Sequence, residues 1–595
     1  MIVKNEADII LNCLKSVKDV VDEMIVVDTG SEDDTIKIAE SFGAKVYRYK
    51  WNDSFADARN YSLSKANGDW VLIMDADDIL DPSDKGKLIS TIKNSPPDVD
   101  LYCFRTFCYS GDVPNADNVL INLNIRLIKN RNGFKYKGRI HEQICPDDSR
   151  KGKYKIVAVD IRLHHYGYIN SYVQKKEKHK RNIALIQKEL DENPDDAFML
   201  FNMGNEYLTL NAPEKAMGYY MKSFRQFDPD TGFSSTLLIR IIVASEYLRH
   251  YGDMIKFAKL GIKHYPQITD FEYLMADAYC RCGKTEKAVS LFKKCIEMGP
   301  PPVNTNGNAG TGTFKPHFAL AEIYRQTGDL KKAVSHYRRA VRCCPGFASA
   351  YGKIADIFLS EKVPPQKVKE KLVRMSAKTT DSYLMLSDIF YDRGLYGQAL
   401  RLAGMSRKAD PENCAAYYDE GVCLFYLKKY KKAYDSLLKS GGGAFGSKSA
   451  LFRMLCILFG SGIKKSEDVF FAKKLDYPYY PVLSSFKCLL QGGKCRPFSE
   501  EYKTSVQYER PILGLLSVLL RSGRMDDFQK SLQLLNLITD DTVLLSLGKL
   551  YYKFGYYALA YKELSRSIKL TGKMDAQGIQ IMKKTINAAS AAEHG

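Results

Sequence analysis

At 595 residues the chain exceeds a single core, and 45% hydrophobic with 26% charged residues excludes a disordered chain. No apolar run reaches the length of a membrane span and no basic leader precedes one, which excludes a transmembrane segment and predicts a cytoplasmic location, with the inner face of the membrane as the alternative. Fourteen cysteines without framework or CxxC spacing exclude a disulfide scaffold and a structural zinc site, and the net charge of +19 lies along helices without any nucleic-acid motif, so no nucleic-acid partner is expected.

Met24-Ile25-Val26-Val27 is a short apolar run ending in Asp28, and Thr29-Gly30-Ser31 leads into an amphipathic helix through Ala39 and Phe42. Residues 43–47 read as a strand, 55–66 as a helix and 70–74 as the next strand. This alternation predicts an α/β, Rossmann-like, mostly parallel sheet with right-handed crossovers. The run from Trp70 to Met74 delivers Asp75, Asp77 and Asp78 to its C-terminal end. Ligands of open α/β sheets bind beyond the carboxyl ends of the strands, and two or three carboxylates there can hold Mg²⁺ or Mn²⁺ beside a phosphate. The same residues also read as an acidic turn capping the next helix, helped by Asp81 and Pro82. Residues 101–107 and 124–129 read as further strands, and 174–190, basic and then amphipathic, as a joining helix.

From about residue 195 the strands give way to an all-α repeat. Leu320-Ala321, Tyr324, Gly328, Ala333, Tyr337, Ala340 and Pro345 form a ladder. It recurs as Met275-Ala276, Tyr279, Gly283, Ala288, Phe292, Cys295 and Pro300, again from Leu386 to Pro411, and from Leu547 to Ser567. Small residues let paired helices approach, aromatics fill the gap, and the proline ends the second helix. The pattern resembles the tetratricopeptide repeat. The expected organisation is a catalytic-type domain over 1–170, a helical linker over 171–194, and repeats over 195–440. An irregular or degenerate stretch over 441–510 and C-terminal helical repeats over 511–595 follow. Residues 301–313, rich in Gly, Asn and Thr, read as a flexible loop within the array.

Four N-terminal segments occur in domain-consistent order: Met1-Ile2-Val3-Lys4-Asn5-Glu6, Val26 to Ser31, Trp51 to Asn60 and Gly68 to Asp78. Together they resemble the inverting family-2 glycosyltransferases, most closely a bacterial branch that carries C-terminal tetratricopeptide repeats. The resemblance implies a GT-A fold, a UDP-sugar donor and a divalent cofactor, Mn²⁺ or Mg²⁺. It assigns Val3, Lys4 and Glu6 to the frame of the nucleotide pocket. Asp28 would accept the imide N–H of uracil, or cap the following helix, a role Ser31 can also fill. Arg59 and Asn60 would face the nucleotide, the guanidinium pairing with pyrophosphate, unless Arg59 forms a surface salt bridge with Asp53 or Asp57. Asp75, with Ala76, would meet the ribose and Asp77 the metal, leaving Asp78 as a helix start or supporting residue.

An inverting transfer needs a carboxylate to take the acceptor's proton. By the same resemblance Glu142, in Arg139-Ile140-His141-Glu142, is the candidate base, the other reading being that His141 and Glu142 are structural partners of Arg139. No second histidine follows at helical spacing, which excludes a zincin. His165, in Leu163-His164-His165-Tyr166-Gly167-Tyr168, is the candidate third metal ligand, with His164 the alternative. The family carries a few more apolar residues before the first motif, so either the true start lies upstream or the first strand is short, and a short strand would weaken donor binding. The repeats would recruit a peptide, protein or cell-envelope glycan acceptor, or mediate self-association. In the peptide-modifying members the acceptor is a Cys, Ser or Thr side chain. The rival reading is a repeat scaffold with an inactive transferase domain. A nucleotidyltransferase is disfavoured because Lys4-Asn5-Glu6 supplies no glycine-rich phosphate loop.

Overall fold

Three short apolar runs near the N-terminus pair in parallel as β1 (Ile2–Val3), β2 (Ile25–Asp28) and β3 (Lys45–Arg48), in that order. The computed structural model describes residues 1–111, 119–147, 153–169, 178–441, 446–460, 479–493, 506–538, 542–572 and 574–592. α1 (Ile10–Val17), α2 (Thr35–Ser41) and α3 (Phe55–Lys65) connect these strands to β4 (Trp70–Leu72) and β5 (Asp78–Leu80), and α4 (Lys85–Lys93) follows. Ile10, Leu14, Val26 and Ala39 close the core beneath the parallel sheet.

A second sheet is mixed rather than mostly parallel. β6 (Leu101–Gly111) and β7 (Val119–Lys129) form a long antiparallel pair, β10 (Ile156–Ile169) runs parallel to β6, and β5 runs antiparallel to β10. β4 pairs antiparallel with the C-terminal end of β7. β6 and β7 are consecutive strands paired antiparallel, with no helical crossover element between them among the described residues, and so depart from the expected alternation. β8 (Phe134–Lys137) and β9 (Gln143–Pro146) form a separate antiparallel pair. Leu80, Phe104 and Leu163, all fully buried, anchor the core under this sheet.

The repeat helices begin with α5 (Lys178–Glu192); residues 170–177, part of the expected joining helix, lie outside the described residues. α6 (Ala197–Thr209), α7 (Pro213–Phe224), α8 (Ser234–Tyr247), α9 (Tyr251–His264), α10 (Thr269–Arg281) and α11 (Thr285–Met298) follow as antiparallel pairs. α12 (Phe314–Gln326), α13 (Leu330–Cys343) and α14 (Ala348–Ser360) continue the series. The small position of the ladder has a direct cause at Gly204, where a Cβ would sit 2.4 Å from the Tyr220 ring. α6 starts where Asp196 accepts the Met199 N–H at 2.9 Å, an N-cap.

The loop expected to be flexible is instead built into the mixed sheet. Gly307–Asn308 forms β11, antiparallel to β7, and Asn306 Oδ1 accepts the Leu123 N–H at 2.7 Å. Asp270 of α10, fully buried, accepts from the Asn308 N–H at 2.6 Å, the Asn308 amide at 2.8 Å and the Thr311 hydroxyl at 2.9 Å. A buried carboxylate with three donors fixes a loop that composition alone reads as mobile. Met1–Glu361 forms one compact unit and Lys362–Gly595 another.

His317 of α12 and His336 of α13 place their Nδ1 atoms 3.2 Å apart. Burial, the neighbouring imidazole and Arg339 push His317 down to about 4. A depressed imidazole contributes stability above its ordinary value near 6.5, and this is lost as pH falls toward 4, about 3 kcal/mol in full. Urea unfolding at pH 7.5 and pH 5 should therefore show a larger loss in the wild type than in His317→Phe, which keeps the partly buried His336.

In the second unit the described helices run from Pro365–Met375 to Ala576–Ala592. Within the stretch expected to be irregular, Gly446–Phe459 and Tyr479–Leu490 are helices, and their Leu455 and Phe486 share one core with Leu515. The glycine run from Gly442 and residues 461–478 and 494–505 lie outside the described residues.

Candidate active site

The chain leaves β4 through Ile73, whose N–H bonds to the Arg126 carbonyl of β7 at 2.7 Å, and turns through Asp75 into β5. Asp75 accepts from Arg59 Nη2 at 2.7 Å and Arg126 Nη1 at 3.1 Å. Burial alone would raise the Asp75 pKa, but the two guanidinium groups hold it well below the usual carboxylate range. Asp78 has no exposed side-chain surface; it accepts the Asp75 N–H at 2.9 Å, Arg126 Nη1 at 2.9 Å and His165 Nδ1 at 2.9 Å. It therefore belongs to the buried network at the acidic strand end and is not a helix start, a role taken by Asp81, which accepts the Ser83 N–H.

Asp77 Oδ1 lies 3.4 Å from His165 Nδ1. A Cβ on Gly167 would fall 2.2 Å from Asp77 Oδ2, so the glycine of the His-Tyr-Gly segment is needed for this approach. Burial would lower His165, yet Asp77 and Asp78 raise it to about 9, so an imidazolium stands among the carboxylates at neutral pH. His165 and Asp78 are register partners on β10 and β5, which explains their meeting across the sheet. His164, on the opposite face of the strand, bonds Tyr109 at 2.9 Å and Asp81 at 3.1 Å instead.

Arg59 of α3 donates through Nε to Glu142 Oε1 while holding Asp75. It forms no pair with Asp53, which bonds Lys188, or with Asp57, which bonds Asn52. Glu142 is joined to the acidic strand end through this one side chain, and its Oε2 has no hydrogen bond among the described residues. His141 takes a left-handed backbone, φ 52°, so adjacent side chains diverge, and its ring packs edge-on against Phe198 of α6. Arg139, expected as an alternative partner of the pair, turns to Glu189 and Glu192 of α5.

Asn60 spends its amide on the backbone of Tyr136, donating at 2.9 Å and accepting at 2.8 Å, which ties β8 to α3. Asp28 accepts the N–H groups of Gly30 at 3.0 Å and Ser31 at 3.1 Å, an Asx turn rather than the cap of α2. Val3 is buried beside it, its carbonyl accepting from Thr29, while Lys4 is exposed and the Glu6 N–H bonds Thr35 Oγ1 at 2.7 Å. Ala76 is buried under the acidic turn. The site residue the sequence reading missed is Arg126. Its signal was a single cation within the apolar strand Ile125-Arg126-Leu127-Ile128, which burial tolerates only with partners.

Asp75, Asp78 and His165 each bring one ligand atom to within 4.8 Å of the other two. Carboxylate oxygens with an imidazole nitrogen suit a divalent ion such as Mn²⁺. Asp77 stands beside this trio rather than in it.

Residues 1–146 match the family Glycosyl transferase family 2, residues 314–347 match the tetratricopeptide repeat, and residues 274–300 match the PPR repeat. The chain carries a family-2 glycosyltransferase domain followed by tetratricopeptide repeats. Among relatives, the SPbeta prophage-derived glycosyltransferase SunS of Bacillus subtilis is 28% identical over 324 residues, 53% of this chain and 74% of that protein. A TPR repeat-containing protein of Synechococcus elongatus is 31% identical over 261 residues, 43% of this chain, which spans 62% of that relative's length. The crystal structure of MamA aligns at a TM-score of 0.24 and 18% identity over 29% of this chain and 91% of its own. The helical pairing of the repeats rests on this chain's own elements. Among the described residues, no helix is long and apolar enough to cross a membrane.

Proposed function

We propose that the transferase domain moves a hexose or N-acetylhexosamine from a UDP-sugar, with inversion and with a divalent metal, to an acceptor recruited by the repeats. The observation that carries this reading is the junction at Arg59, which holds a candidate base, Glu142, and the acidic corner, Asp75, in one fixed arrangement. Asp75, Asp78 and His165 would hold the ion, which when bound neutralises charge on the diphosphate as a Lewis acid. Glu142 keeps Oε1 on Arg59 and presents Oε2 to the acceptor's hydroxyl or thiol, taking its proton as the acceptor attacks the anomeric carbon. Asp28 retains lone pairs beyond those its Asx turn uses and accepts the uracil imide. The acceptor is a peptide or protein side chain, or a cell-envelope glycan precursor, and the reaction runs in the cytoplasm.

Release of UDP from a panel of UDP-sugars tests the reading. Turnover is expected with Mn²⁺ and should fall about 100-fold on chelation and in His165→Ala. Turnover unchanged by both would remove the metal from the proposal. One observation favours a scaffold instead: Asp75, Arg126 and Asp78 satisfy one another without any ligand. No UDP release from any donor in Mn²⁺ would select that reading.

A further inference from the structure

The diphosphate of a sugar nucleotide needs cations, and the arginines inside the site are already committed. Arg59 is divided between Asp75 and Glu142, and Arg126 between Asp75 and Asp78. Withdrawing either guanidinium to serve a phosphate would strand a buried carboxylate. The expected pairing of Arg59 with pyrophosphate is therefore unfavourable here, and the counter-charge has to come from elsewhere.

It is available on α5, the first helix of the repeat region. Lys178 donates to the Gly167 carbonyl at 3.3 Å and pairs loosely with Asp77 Oδ2 at 3.7 Å. Its withdrawal toward a phosphate leaves Asp77 beside His165 at 3.4 Å, so no carboxylate is stranded. Arg181, one turn further along, is solvent-accessible and lies over the Phe55 ring at 5.0 Å. Its guanidinium donates to the amide oxygen of Asn182, at 3.0 and 3.3 Å, and no carboxylate lies within ion-pair distance of it among the described residues. The Glu206 carboxylate nearby is already taken by His179 at 2.6 Å and Asn182 at 2.8 Å. Glu206, and after it Glu6 from the first motif of the nucleotide pocket, are close enough to act electrostatically on Arg181. Residues three apart share one helix face, so Lys178 and Arg181 present two positive charges side by side.

α5 is held firmly enough to supply a binding group. Leu185, Ile186 and Leu190 share a buried core with Ile140 and pack against Trp51 and Phe55 of the transferase domain. Glu189 accepts the Arg139 N–H at 2.8 Å, and Arg139 Nη2 reaches Glu192 at 2.6 Å. Transferase domain and early repeats also belong to one compact unit.

We propose that Lys178 and Arg181 bind the diphosphate of the nucleotide-sugar donor, so that the first repeat helix completes the catalytic site. This rests on the nucleotide-sugar reading above. The helix read from sequence as a linker is then part of the donor pocket, and the transferase domain without it would bind a diphosphate poorly.

Titration calorimetry of the full chain with UDP and with uridine, in Mn²⁺, tests this; if UDP does not bind, ADP, GDP and dTDP with their nucleosides replace it. In Lys178→Met/Arg181→Gln, UDP affinity should fall by about tenfold or more while uridine affinity stays at the wild-type value. Lys178→Arg and Arg181→Lys should each retain most of the binding. A double variant that keeps the wild-type ratio of UDP to uridine affinity overturns the assignment and leaves the donor reading standing. Loss of uridine and UDP affinity in equal proportion also overturns it, since the residues would then support the fold rather than the diphosphate. A wild-type protein that binds no nucleoside diphosphate overturns the donor reading and this inference with it.

Discussion

Glu142→Gln should lower sugar transfer about 10³-fold while leaving UDP affinity within about twofold, because it removes a base without removing a binding group. Glu142 Oε1 receives the Arg59 Nε–H, and a glutamine carbonyl oxygen can receive the same bond. The Arg59–Asp75 pair therefore stays in place, and the variant should fold as the wild type does. What is lost is the second carboxylate oxygen, which has no hydrogen bond among the described residues and so stays open to accept a proton. Single-turnover rates with a competent donor and acceptor, set beside UDP titrations, separate the two effects. Turnover within tenfold of wild type would remove Glu142 from the base role. Transfer and UDP affinity falling together would make it a structural brace for Arg59.

The residues that were legible in the sequence are those whose partners are near in the chain. Asp75, Asp77 and Asp78 announced themselves as an apolar run ending in acids, and the repeat ladder as a small–aromatic period. What could not be read is which of three adjacent carboxylates faces the site. That depends on β10, whose His165 meets Asp78 in register from 87 positions away. The same distance problem hid Arg126, visible only as an isolated cation in an apolar strand. The loop at 301–313 was misread because composition reports the glycines but not Asp270, whose buried carboxylate turns the loop into β11. Arg59 is the instructive intermediate. Its motif placed it in the pocket, but its partners, Asp75 and Glu142, lie 16 and 83 residues away, so sequence spacing could not show its charge already spent.

Arg126→Met should destabilise the transferase domain by about 3–5 kcal/mol, the penalty for breaking a buried ion pair from one side. The Arg126 side chain is 7% exposed and Asp78 is fully buried, so water cannot replace the lost guanidinium. The two carboxylates fare differently. Asp75 keeps Arg59, whereas Asp78 is left with His165 and one backbone N–H. The cost therefore falls on Asp78, and adding Asp78→Asn to Arg126→Met should recover part of it, a coupling that a cavity alone would not produce. The readout is favourable because both tryptophans of the chain, Trp51 and Trp70, lie in this domain, and Trp70 packs against its core. Urea unfolding followed by tryptophan fluorescence thus reports on the domain without the rest of the array. Costs that simply add in the double variant would show that Arg126 is held by packing, and that the network beneath the acidic strand end is not electrostatic in origin.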